Sequence, residues 1–214
     1  MDDYSIGPAR RALDVTVAAV LLTFSVPLLA AVAALIVLTD GRPVFFTQTR
    51  VGEGGRPFRM YKLRTMRSSG DGPSVTASTD ARVTPLGAKL RKYAIDELPQ
   101  LWHVLTGQMT LVGPRPESQA LAMRYPAPCR AVLQARPGLT GPAQLYYRER
   151  SAEPPDGWTD VEAWYLRVLV PLRVQADLEY LHKPTLRRTA HYLFLTARYI
   201  LGLTDTERAV TQPA

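Results

Sequence analysis

"VTVAAVLLTFSVPLLAAVAALIVLT", residues 15–39, runs 25 residues without a charge and is bracketed by Asp14 and Asp40. As a helix it would be about 37 Å long, enough for a hydrocarbon core of about 30 Å. It exceeds the apolar stretch of a signal peptide, and no comparable run follows in the 214-residue chain. Membrane association is therefore expected. Pro27 lies in the middle, where it removes one backbone hydrogen bond and bends a helix. Ser25 can bond a carbonyl freed nearby. Arg10 and Arg11 precede the segment, and Arg42 and Arg50 follow it. Positive charge draws both ends toward the cytoplasm. A re-entrant hairpin satisfies that pull and a spanning helix does not, but the residues alone leave both open.

The remainder has the length and composition of one globular domain: 46% of the chain is hydrophobic and 21% charged, which excludes wholesale disorder. A net charge of +7 suits an anionic partner, whether nucleic acid, a phosphate-bearing substrate or an acidic membrane surface. Cys129 is the only cysteine, so no intrachain disulfide forms. His103, His182 and His191 lack the spacing of a zinc site.

Residues 43–66, "PVFFTQTRVGEGGRPFRMYKLRTM", predict two strands around the turn Gly52-Glu53-Gly54-Gly55. In an extended segment Phe58, Met60, Lys62 and Arg64 share a face, so two cations project from the end of a hairpin. Residues 68–81 predict a loop. Thr84-Pro85 opens a helix with Leu86, Leu90 and Tyr93 as its apolar stripe and Lys89 and Lys92 outward. A second helix is expected from about Glu97 to Thr106, closed by Gly107. Pro99 is tolerated only in its first turn, which places Asp96-Glu97 at its start, with Asp96 as a natural N-cap. In "PTLRRTAHYLFLTARYILG", residues 184–202, Leu186, Ala190, Leu193, Phe194, Ala197 and Leu201 recur at helical spacing beside Arg187, Arg188 and Arg198. That pattern suits a helix in the headgroup region or one packed on the domain's own core. The tail after Asp205 is expected to be disordered.

An acidic pair before a helix is often only a cap. Here two loops give it company. "LVGPRPE" (111–117) holds Arg115 between prolines, and "ARPGLTGPAQL" (135–145) holds Arg136 before a Pro-Gly turn. A guanidinium on such a loop loses little entropy on gripping a phosphate. With Arg91, Lys62 and Arg64, these residues predict a site for a multiply phosphorylated ligand. A carboxylate pair within it can hold Mg²⁺ or attack phosphorus.

The order "RRALDV", apolar segment, "FTQTRVG", "YKLRTM", "LRKYAIDELPQLWHVLTG", "LVGPRPE", "RPGLTG" resembles the bacterial sugar transferase family, the small monotopic phosphoglycosyl transferases, over about residues 8–204. The resemblance implies an α+β fold, mainly helical, with a small β-hairpin, a re-entrant helix broken at Pro27 (residues 1–41), interfacial amphipathic helices and a cytoplasmic catalytic domain (42–204). It implies transfer of a phosphosugar from a nucleotide diphosphate sugar, usually UDP-linked, to polyprenol phosphate at the cytoplasmic face of the bacterial inner membrane. Asp96 becomes the nucleophile and Glu97 its partner, with Mg²⁺ at the pair. Arg91, Arg115 and Arg136 become phosphate or nucleotide contacts. Three positions depart from the family pattern: Val26, where serine often precedes the kink proline; Gln108, where an acid is common; and Pro142, where tryptophan is usual. The competing reading is a membrane-anchored anionic-lipid-binding or scaffold protein without turnover. No helix-turn-helix, zinc-finger or RNA-stacking signature supports nucleic acid. The sequence does not specify the sugar or the oligomeric state.

Overall fold

The structure is a computed structural model that describes residues 4–67, 80–147 and 160–203. Most of the loop expected at 68–81 and the expected disordered tail lie outside the described residues.

Helix α1, Pro8–Asp40, takes in the whole apolar segment, with Pro8 in its first turn and Pro27 inside it. Ser25 donates its hydroxyl to the carbonyl of Leu22 at 2.9 Å, next to the turn whose ladder Pro27 interrupts. The buried positions Arg10, Asp14, Ala18, Ser25, Val32 and Ile36 recur at helical spacing and form one face. Much of the remaining surface is apolar and uncovered: Phe24 is 81% and Leu38 83% exposed. Polar groups are thus turned inward at the N-terminal end and apolar ones outward, the reverse of a soluble surface helix.

Both ends of α1 are held by the domain. At the start, Asp14 accepts from the Thr110 hydroxyl at 2.6 Å and the Leu111 N–H at 3.2 Å. Arg10 donates to the Val112 carbonyl at 3.1 Å, and Arg11 to the carbonyls of Val104 and Leu105 at 2.6 and 2.7 Å. At the far end, Arg64 donates to the carbonyls of Asp40 and Gly41 at 2.6 and 2.5 Å. Val32 and Ile36 pack there with Leu63 and Leu90.

Strands β1 (Phe45–Val51) and β2 (Pro57–Leu63) pair antiparallel from Phe45↔Leu63 to Val51↔Pro57, with a 3₁₀ turn at Glu53–Gly55 as the hairpin's tip. Phe58 and Met60 turn into the core, as the alternation predicts. Strand β2 stops at Leu63, so Arg64 does not extend the row of Lys62; it caps α1 instead. Helix α2, Pro85–Lys92, starts as expected: the Thr84 hydroxyl accepts from the Gly87 N–H at 2.9 Å. Leu90 is buried, but Tyr93 is 48% exposed, because α2 ends at Lys92 and the chain turns away.

The next helix differs from expectation. Residues Ile95–Gln100 form a 3₁₀ helix that runs into α3, Leu101–Thr106. Its N-cap is Ala94, so Asp96 is not the cap; it sits in the first turn with its side chain buried. Pro99 falls inside this 3₁₀ segment, and Gly107 closes α3 in the left-handed region at φ 85°.

Strands β3 (Thr110–Val112) and β4 (Gly138–Thr140) form a parallel pair. Between them lie α4 (Gln119–Met123) and a 3₁₀ helix, Ala127–Gln134. Helix α5, Pro142–Tyr147, follows β4. Helices α6 (Val161–Trp164) and α7 (Val170–Leu181) are joined by a π-helical stretch at Tyr165–Leu169. The main core brings Leu101, Val104, Met109, Leu111 and Val112 against Leu169, Val170 and Tyr180.

Helix α8, Leu186–Ile200, has its N-terminus capped by Thr185. It docks through hydroxyl-bearing residues: Thr189 bonds the Tyr180 hydroxyl, and Thr196 the Thr140 hydroxyl, each at 2.7 Å. The apolar stripe read from the sequence faces outward instead, with Phe194 60% and Leu201 70% exposed. Of the two readings of this helix, packing of the whole stripe on the domain's own core is therefore not observed, although Leu193 of that stripe does pack against it.

Candidate active site

Three elements converge on Asp96: the end of β2, the C-terminal turn of α2, and the 3₁₀ helix that carries the acid itself. Their approach depends on Gly87. A Cβ there would lie 2.1 Å from the Thr65 carbonyl oxygen, so only glycine lets α2 lie on the chain leaving β2. Thr65 then accepts from Arg91 Nε at 2.8 Å, which fixes that guanidinium beside the acid.

Between α2 and the 3₁₀ helix the chain reverses at Ala94, a non-glycine residue in the left-handed region at φ 54° and ψ 23°. That conformation costs an alanine about 1 kcal/mol or more. Replacement with glycine, Ala94→Gly, is expected to raise the melting temperature by about 2–4 °C, since about 1 kcal/mol moves a domain of this size by that amount. A lower melting temperature would show that the contacts of the Ala94 methyl outweigh the relief of strain.

Asp96 is 5% exposed. Burial pushes its carboxyl up to about 6; Glu97 adds to the rise, and Lys62 and Arg91 oppose it. Lys62 is brought down to about 8, chiefly by its own burial, while Asp96 pulls it back up. The acid and the ammonium therefore both titrate near neutrality. Glu97 is ion-paired with Arg115 at 3.2 Å, and Arg115 also reaches Gln144 Oε1 at 3.4 Å. Of the cations proposed from sequence, Lys62, Arg91 and Arg115 gather at the carboxylates. Arg64 is committed to the end of α1, and Arg136 pairs with Glu53 at 2.8 Å, in the hairpin turn at the opposite end of β2 from Lys62.

The loop bearing Arg115 is clamped from below. Arg50 donates to the Pro116 carbonyl and to Glu117 Oε1, each at 3.4 Å, and the Val51 N–H to the Glu117 carbonyl at 2.8 Å. The hydroxyls of Tyr125 and Tyr165 both donate to Glu117 Oε2, at 3.1 and 2.5 Å. Glu117 is 8% exposed, and these partners satisfy its charge in the interior. The sequence reading used Arg50 only as a charge flanking the membrane segment and gave Glu117 no role, because their partners lie up to 67 residues away. Gln144 was missed for the same reason.

The two arginine loops lie side by side through glycines. A Cβ on Gly138 would meet the Gly113 nitrogen at 2.1 Å, and one on Gly141 the Gly113 oxygen at 2.2 Å. These glycines serve close approach rather than the tight turns expected of them. Asp177 accepts from the Ala143 N–H at 3.1 Å and so holds the start of α5 just beyond the second loop.

His103, buried behind β2, accepts from the Tyr61 N–H at 3.2 Å through Nε2, and its Nδ1 faces Gln108 Oε1 at 2.8 Å. Burial lowers its pKa. A neutral ring, with Nδ1–H donating to the amide oxygen, satisfies both contacts. Gln108, where the family often has an acid, thus fits an uncharged histidine.

Among the described residues, no group of three or more His, Cys, Asp or Glu side chains could hold a metal by itself. A buried carboxylate beside a second one, ringed by cations, is an arrangement for a phosphate-bearing substrate. The sequence model of the bacterial sugar transferase family matches residues 6–202. The chain belongs to that family.

Within the bacterial sugar transferases, the chain is 42% identical over 205 residues to the UDP-glucose:undecaprenyl-phosphate glucose-1-phosphate transferase of Caulobacter vibrioides, covering 94% of this chain and 71% of that protein. It is 35% identical over 192 residues to the Escherichia coli protein of the same name, covering 87% of this chain and 39% of the relative. A UDP-N-acetylgalactosamine-undecaprenyl-phosphate N-acetylgalactosaminephosphotransferase of Aeromonas hydrophila is 39% identical over 143 residues, 64% of this chain and 34% of that protein. The chain thus spans well under half the length of the last two.

Proposed function

We propose that this chain transfers a sugar 1-phosphate from a UDP-sugar to a polyprenol phosphate at the cytoplasmic face of the membrane, in two displacements at Asp96. In the first, a carboxylate oxygen of Asp96 attacks the sugar-bearing phosphorus. The bond from that phosphorus to the bridging oxygen breaks, and UMP leaves with the electron pair. In the second, a phosphate oxygen of the acceptor attacks the same phosphorus and the acyl phosphate bond breaks. The products are a polyprenyl diphosphate sugar and free Asp96. Splitting the transfer lets a soluble donor and a membrane-held acceptor use one site in turn.

The observation that carries this reading is the buried, proton-avid Asp96 with Lys62, Arg91 and Arg115 gathered around the acidic pair. A carboxylate kept out of water is a stronger nucleophile than a solvated one. Lys62 and Arg91 lie where charge on the transferring group grows, and Arg115 can exchange Glu97 for a phosphate oxygen. Mg²⁺ fits this donor set, since it takes one or two carboxylates together with substrate phosphates. Burial first and Glu97 second raise Asp96 against the pull of Lys62 and Arg91, so the acid is one that added positive charge would stabilise. When bound, Mg²⁺ would supply that charge against the diphosphate and the leaving group.

The attachment of α1 supports a re-entrant placement. A spanning helix puts its ends about 30 Å apart on opposite membrane faces. Here one domain grips Arg10, Arg11 and Asp14 at one end and Asp40 and Gly41 at the other. The outward apolar faces of α1 and α8 would then enter the same leaflet.

The test is release of UMP by purified protein given a polyprenol phosphate, Mg²⁺ and each of a panel of UDP-sugars. One member should release UMP and chelation should stop it. A protein that releases none with any donor, yet binds anionic lipid, would fit the scaffold reading instead.

A further inference from the structure

The apolar side of the hairpin's open end is not used by the chemistry above. Phe45 and Phe46 are adjacent on β1 and 50% and 42% exposed. Successive residues of a strand project to opposite faces. Phe45 stands opposite Leu63, which packs with Val32 and Ile36 of α1. Phe46 stands opposite Lys62, whose ammonium lies 5.1 Å from the centroid of its ring. The same ammonium feels Asp96. Phe46 thus lies uncovered against the cation beside the nucleophile, while on the other face of the strand Phe45 stands next to the cluster that joins β2 to α1.

We propose that Phe46 seats the first isoprene units of the acceptor while Lys62 takes its phosphate. This rests on the polyprenol-phosphate reading and adds to it where the acceptor sits. The occupant follows from charge and polarity together. An amphiphile with an anionic head joined directly to an apolar chain matches a cation with an aromatic ring laid against it, on the strand that directly follows a helix with an uncovered apolar surface. A nucleotide sugar that stacked its base on the ring would be told apart by the UMP-release arm of the test below. Phe46 shields one side of Lys62 from water, so the phosphate would meet a desolvated ammonium.

The experiment is equilibrium binding of undecaprenyl phosphate in mixed phospholipid vesicles, with UMP release in the absence of acceptor measured separately. Phe46→Ser should weaken acceptor binding at least tenfold, and Phe46→Leu, which keeps an apolar seat, should stay within threefold of wild type. The single-turnover release of UMP should remain within twofold in both, which also shows that they fold. Unchanged binding by Phe46→Ser would overturn the proposal. So would equal losses in the serine and leucine variants, or a parallel loss of UMP release, since these would assign the ring to supporting Lys62 in the donor step. Wild-type protein that binds the acceptor but releases no UMP would defeat the two-displacement reading and leave the seat standing.

Discussion

Asp96→Asn is expected to remove turnover, by at least about 10³-fold in kcat, while making the protein more stable. The two effects share one cause. Burial and Glu97 raise the Asp96 carboxyl to about 6. An acid whose pKa is higher folded than unfolded favours the fold in its protonated form. Relative to low pH, stability is therefore lost as pH rises from about 4 through about 6, by about 1–3 kcal/mol for a rise of this size. Asparagine keeps the shape and lacks the charge. At pH 7.5 the variant should melt several degrees above wild type, and the gap should close below pH 4. Thermal melts of both proteins across that range check the sign. An equal pH dependence in the two would mean that Asp96 does not carry the buried charge. The wild-type rate should fall on the acid side near pH 6, as the nucleophile takes up its proton, and on the alkaline side near pH 8 if Lys62 must be charged.

Gly138→Ala should have the largest effect on folding. The added methyl would lie 2.1 Å from the nitrogen and 2.6 Å from the Cα and oxygen of Gly113. All three are backbone atoms, so no side chain can swing aside. Gly113 is itself tied down, donating to the Thr140 carbonyl at 2.9 Å, while the Gly138 N–H donates to the Pro114 carbonyl at 2.7 Å. The parallel pair must separate, and with it the loops that carry Arg115 and Arg136. A cost above about 4 kcal/mol is expected, enough to leave little folded protein at a typical domain stability. Expression yield and resistance to proteolysis provide the measure. A folded, active Gly138→Ala protein would show that β3 and β4 do not approach as described.

What could be read in the sequence, and what could not, divides by range. The hairpin was legible because Phe58 and Met60 alternate with exposed residues around a glycine-rich turn. The start of α2 was legible because Thr84 and Pro85 are local signals. The motifs named Lys62, Arg91 and Arg115, and the structure places these three around the acidic pair. Misreadings arose where a long-range contact overrides a local rule. Asp96 has the identity of a cap, but the reversal at Ala94 starts the 3₁₀ helix two residues earlier and turns the acid inward. Arg136, proposed as a phosphate contact, has its guanidinium paired with Glu53, 83 residues away, at the other end of the hairpin from the acidic pair. In α8 the stripe was located correctly, but periodicity does not say which face meets the domain. The hydroxyls of Tyr180 and Thr140 decide that, by pairing with Thr189 and Thr196.

One measurement bears most directly on the account. Purified protein is given its UDP-sugar and Mg²⁺ without acceptor, quenched in acid, and the intact chain and its peptides are weighed. The account predicts an added sugar phosphate on the peptide containing Asp96, appearing with UMP and disappearing when polyprenol phosphate is supplied. Product formed at full rate with no such mass on that peptide at any time would contradict it.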